Sequence, residues 1–145
     1  MGSLKTLSNS MRKRAKALPT LASEVAKAGS EAILREWLDV MPVDTSEAIS
    51  NTRVGIGTRP SGVLPPFYLG RKGSTRSASA GKALQQGQEE LKAKQPGQTI
   101  YVSNTAPHIG DLDTGTSQQF AGGFIPAALI VFRVAAQAAA KRLLK

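Results

Sequence analysis

The sequence predicts a single α+β domain, because helical and strand patterns alternate along a chain of 145 residues, an ordinary length for one domain. Two segments with apolar residues at helical spacing, 20–40 and 126–144, flank two short segments typical of strands, 51–57 and 99–103. Fourteen glycines and eight prolines indicate long irregular connections between these elements. Aromatic residues are only 5% of the chain, so we expect a modest core built mainly from Leu, Ile, Val and Ala.

The first helix is predicted over residues 20–40 as an amphipathic helix, and Pro42 cannot continue it. Its apolar face comprises Leu21, Val25, Ala28, Ala32, Ile33 and Trp37. The basic segment before it, residues 4–18, is expected to form a further helix. Pro19 would then be a kink or a break between the two helices.

The middle of the chain is predicted to hold a strand, a long loop and a short helix. Residues 51–57 alternate weakly and end on glycine, which suits a strand. Residues 57–81 are rich in Gly, Ser, Pro and Arg, which indicates a long loop or a hairpin arm. Because this composition buries little apolar area, we expect the arm to be mobile in the isolated subunit. A short helix over 83–94 should stop at the Gln-Pro-Gly of residues 95–97.

The last helix is predicted over residues 126–144, with Pro126 at its first position, where a missing N–H costs little. Its alanines allow close packing against a sheet or a neighbouring subunit. The expected apolar stripe consists of Leu129, Phe132, Ala136, Ala140 and Leu143.

The composition excludes several classes of protein. The chain has no cysteine, which excludes a disulfide framework, thiolate chemistry and a zinc finger, and fits folding in a reducing cytoplasm. No segment approaches the ~20 consecutive apolar residues of a membrane helix, so we expect no membrane partner.

The formal net charge of +9 is unevenly distributed. Residues 1–20 hold five basic and no acidic residues, and residues 48–82 hold six and none, whereas residues 21–47 hold six acidic and two basic residues. Such blocks favour partners of different charge, nucleic acid or acidic protein faces included, or else solvated basic tails and loops. The candidate docking or DNA-facing side chains are Arg71, Lys72, Arg76 and Lys82.

No motif supports an enzyme. Residues 113–116 read Asp-Thr-Gly-Thr, as in aspartic proteases, but only 29 residues follow and most look helical, whereas that chemistry needs a second carboxylate. The glycines at 55 and 57 lack the helix start of a dinucleotide loop, and Gly81-Lys82 lacks the earlier glycine of a P-loop. His108 is the only histidine, so no His/Cys cluster can form around it. We therefore expect no catalytic residue, no cofactor and no metal.

Two segments carry a resemblance. Residues 99–129 (TIYVSNTAPHIGDLDTGTSQQFAGGFIPAAL) combine a strand ending in Asn, a Pro-containing step, an acidic residue before Gly-Thr, a glycine-containing loop and a final helix. Residues 41–46 (MPVDTS) precede the strand-like residues 52–57 (TRVGIG). In order and spacing these resemble the neck and tail-completion proteins of tailed bacteriophages, a family that includes the lambda minor tail protein Z group. Ser46 stands where the family has Gly, and His108 where it commonly has Tyr.

The resemblance implies a fold and an assembly. The fold is an α+β subunit with a small, mostly antiparallel sheet flanked by the N- and C-terminal helices, and a long basic loop or hairpin arm over 57–82. Such subunits form a ring, commonly of six copies, that completes the tail and joins it to the head of the virion. The implied partners are further copies of this chain, head-completion or connector proteins, tail tube or tail terminator proteins, and the DNA passing through the lumen. The rival hypothesis is a basic nucleic-acid-binding protein, supported only by charge.

We expect the loop over residues 104–123 to be a subunit or partner contact, because it sets apolar side chains among turn formers where a monomer would leave them wet. The residues assigned to this contact are His108, Ile109, Leu112, Asp113, Gly115, Thr116, Phe120 and Phe124.

Overall fold

A computed structural model describes residues 3–115, 118–119 and 121–145. In chain order the elements are α1 (Leu4–Val40), α2 (Glu47–Ser50), β1 (Thr52–Ile56), α3 (Arg76–Ala93), β2 (Ile100–Asn104), α4 (Ile109–Asp113) and α5 (Phe124–Leu143). The two strands form an antiparallel sheet in which Val54 pairs with Val102. The predicted α+β fold, a small antiparallel sheet flanked by the N- and C-terminal helices, is thus confirmed.

Helix α1 is a single helix of 37 residues, with the further basic helix as its first half. Pro19 lies inside it and does not end it. Residues 3–20 are all exposed, so water can reach the carbonyl left without its usual donor at this proline. At ~1.5 Å per residue, the exposed segment extends more than ~20 Å beyond the rest of the domain. We call residues 4–18 the N-terminal arm.

The core lies between the second half of α1, the sheet and α3. Leu34, Met41 and Ile49 are fully buried there. Helix α3 crosses close to α1 and β1 at Gly87, where an added Cβ would collide with Leu34 and lie 3.2 Å from Val54. Gln88 Nε2 donates a hydrogen bond to Glu31 Oε1 at 2.8 Å and holds the pKa of that carboxyl below its usual range, with Arg35 adding to the effect.

Helix α5 packs along α1 through a face that differs from the predicted apolar stripe. The helix begins at Phe124, so Pro126 occupies its third position and not its first. Its buried residues are Phe124, Ala128 and Ala139, whereas Leu129 and Leu143 of the predicted stripe are exposed. The helix is apolar on most sides, so periodicity alone could not select the face. Gly29 selects it, because the α1 backbone leaves room there for the Phe132 ring.

The basic segment after β1 is shorter and more firmly attached than its composition predicts. It is irregular over 57–75 and forms no hairpin, and α3 begins at Arg76, seven residues before the predicted helix start at 83. The fully buried Asn51 side chain bonds both the N and the O of Leu64, at 2.8 Å each. Further along, Phe67 N donates to Ser50 Oγ and Lys72 N to Asp44 Oδ1. These bonds tether a segment for which we expected mobility.

Replacement of Gly87 by Ala should destabilise the fold, whereas the same change at Gly81 on the same helix should stabilise it. At Gly87 the added methyl has no space beside the fully buried Leu34, so we expect the free energy of unfolding to fall by ~1–3 kcal/mol. At Gly81 nothing lies within 4 Å, so the higher helix propensity of Ala should raise it by ~0.5–1 kcal/mol. Urea denaturation followed by circular dichroism measures both; equal shifts would contradict the close packing of α3.

Candidate functional site

The segment from β2 to α5 is organised around Asp113. The backbone O of Asp113 accepts from Gly123 N at 3.0 Å, and its carboxylate Oδ1 accepts from Phe124 N at 2.7 Å. A carboxylate here satisfies an N–H of the first turn of α5 and faces the positive end of the helix dipole. The Asp-Thr-Gly sequence therefore closes a turn onto a helix and serves a structural purpose.

Two glycines let the chain make this return. Gly115 and Gly122 have φ of +84° and +91°, which L-residues with a side chain rarely adopt. A Cβ on Gly122 would also collide with Asp113 O. Gly123 N and Phe124 N can therefore bond to Asp113, which joins the end of α4 to the start of α5.

The start of α5 is held against the end of α1. Trp37 Nε1 donates to Phe124 O at 3.1 Å, and the two rings pack edge to face with centroids 6.2 Å apart. Val43 N, just after α1, donates to Gln119 Oε1 at 3.0 Å. Both segments that carry the family resemblance therefore meet at the C-terminal end of α1.

A cleft of about 440 Å³ opens at this junction. Its lining is mainly apolar and includes Trp37, Met41, Tyr101, Ser103, Ile109 and Ile125. The buried Ser103 Oγ has no hydrogen-bond partner among the described residues. No group of three or more His, Cys, Asp or Glu side chains that could hold a metal occurs in the described part of the chain. The cleft suits an apolar side chain better than a reacting polar substrate.

The residues assigned to a partner contact do not all lie on the surface. Phe124 is only 4% exposed, so it belongs to the core and was wrongly assigned to the surface. Ile109 and Leu112 are half-buried against the core, so the expectation that a monomer leaves them wet was wrong as well. Thr116 and Phe120 lie outside the described residues.

The remaining members of the set have mixed surroundings. Asp113 and Gly115 are half-buried within the turn described above. The His108 ring stays accessible, and its Nδ1 lies 3.8 Å from Glu47 Oε2 on α2. Of the described residues in the set, His108 is thus the one whose side chain stays most accessible.

The four basic residues predicted as one loop patch have different roles. Arg71 and Lys72 are exposed in the irregular segment, whereas Arg76 and Lys82 lie on α3. The Lys82 Nζ sits 5.1 Å from the Phe67 ring centroid and 5.7 Å from that of Tyr68, within cation–π range. Only Arg71 and Lys72 keep the loop position that was expected of all four.

Arg76 caps the end of α1. Its guanidinium donates to Met41 O at 2.9 Å, to Leu38 O at 3.4 Å and to Asp39 O. Helix α1 carries no basic residue in its own last turn, and its terminal carbonyls need donors. A cation there also opposes the negative end of the helix dipole. Arg76 is therefore held at this helix end by its bonds to backbone carbonyls, a structural role that its sequence position did not indicate.

Three polar residues that position the loops escaped the sequence reasoning. Asn51 tethers the irregular segment, as described above. Arg53 Nη2 donates to Ser61 O, Gly62 O and Thr105 Oγ1, and so joins that segment to the turn after β2. Asn104 donates to Ala48 O at 2.7 Å and accepts from Ala106 N at 2.8 Å. Asn beside a strand end was the available signal, because its amide bonds backbone where a ladder stops.

Two apolar helix faces are left uncovered. One lies on the N-terminal arm, and the other covers two flanks of α5, Ile125 with Leu129 and Ile130 with Val134. Every member is more than half exposed: Leu4, Leu7, Met11, Leu18, Ile125, Leu129, Ile130 and Val134. By length and composition alone, α5 could also cross a membrane, a test that core helices of soluble proteins pass too. Only 17% of the apolar stretch of α5 is buried, so most of this stretch is accessible to a partner.

No protein-family model, curated protein or solved structure matches this chain.

Removal of the Asp113 carboxylate should loosen the junction of α4 and α5. We expect Asp113→Ala to lower the free energy of unfolding by ~1–2 kcal/mol, because Phe124 N loses this acceptor. Asp113→Asn keeps an oxygen that can accept the bond and should cost less. Thermal denaturation of both variants checks the order, and equal stability of Asp113→Ala and the wild type would contradict the capping role.

Neutralisation of Arg76 should be far more damaging than neutralisation of Arg71. Arg76→Gln loses charge-assisted bonds to the carbonyls at the end of α1, so we expect a loss of ~1.5–3 kcal/mol in the free energy of unfolding. Arg71→Gln, which removes the same charge from an exposed site, should stay within ~0.5 kcal/mol of the wild type. Chemical denaturation compares the two; similar effects would show that Arg76 acts only through net charge.

Proposed function

We propose that this chain is a structural subunit of the head–tail junction of a tailed bacteriophage, which forms a ring that completes the tail and joins it to the head. The observation that carries the proposal is the meeting of the two family-like segments at one place. Residues 41–46 and the loop after β2 touch through Val43 and Gln119, and the start of α5 packs on Trp37. Two motifs that matched the family by chance would have no reason to lie side by side in the fold. Their adjacency therefore supports the interpretation that they belong to one family signature.

The backbone at Ser46 supports the same proposal. Ser46 has φ of +68°, in the left-handed region that favours glycine, and it occupies the position where the family has Gly. Its buried hydroxyl lies 2.9 Å from Thr75 Oγ1, a bond that helps to hold a residue with a side chain in this conformation. The turn demanded by the motif is thus kept although the residue differs.

The uncovered faces of the N-terminal arm and α5 give the proposal its physical basis. A monomer in water would expose two apolar surfaces, which is typical of subunits that bind neighbours. Different patches on one chain favour a heterologous contact, and repetition of such a contact generates a ring when the rotation closes. The exposed Arg71 and Lys72 remain available to dock on an acidic neighbour at the junction.

Disruption of the gene in the phage or prophage that encodes this chain should separate the two halves of the virion. We expect electron micrographs of lysates to show heads with packaged DNA and free tails, because only the junction is missing. Supply of the chain in trans should restore joined particles, which is the control. Normal virions after disruption would overturn the proposal.

The rival function predicts a different result with purified protein. A basic nucleic-acid-binding protein would bind duplex DNA with an affinity that falls steeply and linearly with salt on logarithmic axes. Ring assembly driven by apolar burial should persist as salt rises. Tight DNA binding by a chain that stays monomeric at all salt concentrations would favour the rival.

A further inference from the structure

We infer that the N-terminal arm of one copy docks in the groove between α1, α3 and α5 of a neighbouring copy. This deepens the proposed ring assembly and rests on it. The inference names the contact, the two surfaces that form it and its head-to-tail polarity.

The arm has the properties of a docking helix. Leu4, Leu7, Met11 and Leu18 recur at spacings of three, four and seven residues, so they share one face of the helix. All four are more than half exposed. The arm carries five basic residues and no acidic one. Four of the five lie on its other faces, and Arg14 lies at the edge of the apolar face, between Met11 and Leu18.

The groove is a matching receptor. It encloses about 880 Å³ and has a mainly apolar lining that includes Ala80, Leu84, Ile130 and Val134. Ile130 and Val134 are more than half exposed. An amphipathic helix laid in such a groove would cover both apolar surfaces at once.

The charges at the rim of the groove suit a basic helix. Glu36 and Asp39 line it, and so do Arg35 and Arg76. Both arginines are already engaged: Arg35 with Glu31 at 2.7 Å, and Arg76 with the carbonyls at the end of α1. Glu36 and Asp39 are thus the carboxylates left at the rim to face Lys and Arg of an incoming arm.

The connection of the arm requires that the contact be intermolecular. Helix α1 runs without interruption from the arm through residues that line the groove, Ala32 and Leu38 among them. A continuous helix cannot fold back on itself, so the arm cannot reach the groove of its own chain. A second copy supplies the missing partner, and each copy gives one arm and accepts one.

The absence of cysteine from the chain allows a direct test by pairwise cross-linking. Full-length Met11→Cys protein is mixed with full-length Val134→Cys protein and oxidised mildly. We expect a disulfide-linked heterodimer at roughly ten times or more the yield of the control pair, because docking raises the local thiol concentration. The control replaces Asn9, about 200° round the arm from Met11, with Cys and pairs it with Val134→Cys.

Other occupants of the two faces predict other results. Efficient cross-linking of Met11→Cys protein with itself would indicate a symmetric arm-to-arm coiled coil and would overturn the inference. Flotation of the wild-type chain with vesicles of phosphatidylglycerol and phosphatidylcholine, lost in a Leu7→Glu and Met11→Glu double variant, would identify the arm as a membrane helix if the Met11–Val134 cross-link is absent.

The test also separates this inference from the function on which it rests. Rings seen in electron micrographs of the Leu7→Glu and Met11→Glu variant would overturn the arm contact and leave the junction proposal standing. A strong Met11–Val134 cross-link together with normal virions after gene disruption would do the opposite. Both changes in this variant are on exposed side chains, so folding, checked by circular dichroism, should be unchanged.

Discussion

The end of α1 is the point on which the rest of this structure depends. A long helix finishes there with open carbonyls, a negative dipole end and no basic residue of its own in its last turn. Arg76 from α3 donates to those carbonyls, and Trp37 donates to the start of α5. The fully buried Met41 follows at once and enters the core. Helices α3 and α5, distant from α1 in sequence, are thus both fixed to its C-terminal end.

This arrangement gives the molecule two unequal halves. The second half of α1 is covered by α3, the sheet and α5, whereas the first half is covered by nothing in the described chain. An isolated helix of ~15 residues is marginal in water, so the arm depends on its continuity with the packed half for its helical state. The core therefore keeps the arm helical although it does not bury the apolar face of the arm. One continuous helix thus combines a half that folds the domain with a half that exposes an apolar face.

Much of the fold was readable from local patterns, and the misplacements have physical causes. The helix at 20–40 was found because its apolar spacing is clear, and the strands at 51–57 and 99–103 were found as short segments bounded by turn-forming residues. The buried face of α5 was not, since a helix apolar on most sides gives no preferred direction, and the space at Gly29 made the choice. The early start of α3 was missed because Ser and Gly dominate residues 77–81, and tertiary contacts override their weak helix propensity.

The candidate site was harder to predict than the fold, because its residues act through geometry that no local pattern contains. Asp113 was identified from the motif, but its bond to Phe124 N depends on how the loop returns. Asn51 and Arg53 bond backbone atoms 8 to 13 residues away in an irregular segment. The composition of residues 57–75 predicted a mobile segment, because composition reflects how little apolar area the segment can bury. It does not show the bonds from side chains to the backbone that hold the segment in place.

The exposed basic residues that could contact DNA lie mainly on the N-terminal arm. With Arg76 at a helix end and Lys82 over two aromatic rings, the longest run of exposed basic residues without an acidic neighbour is the N-terminal arm. A helix that only contacted phosphates would gain nothing from Leu7 and Met11 on one face, and would leave them wet. A helix that enters a protein groove buries that face. Its Lys and Arg can then reach the rim of the groove, where Glu36 and Asp39 lie. The apolar stripe therefore favours protein as the arm's partner, and net charge alone could not have decided between the two.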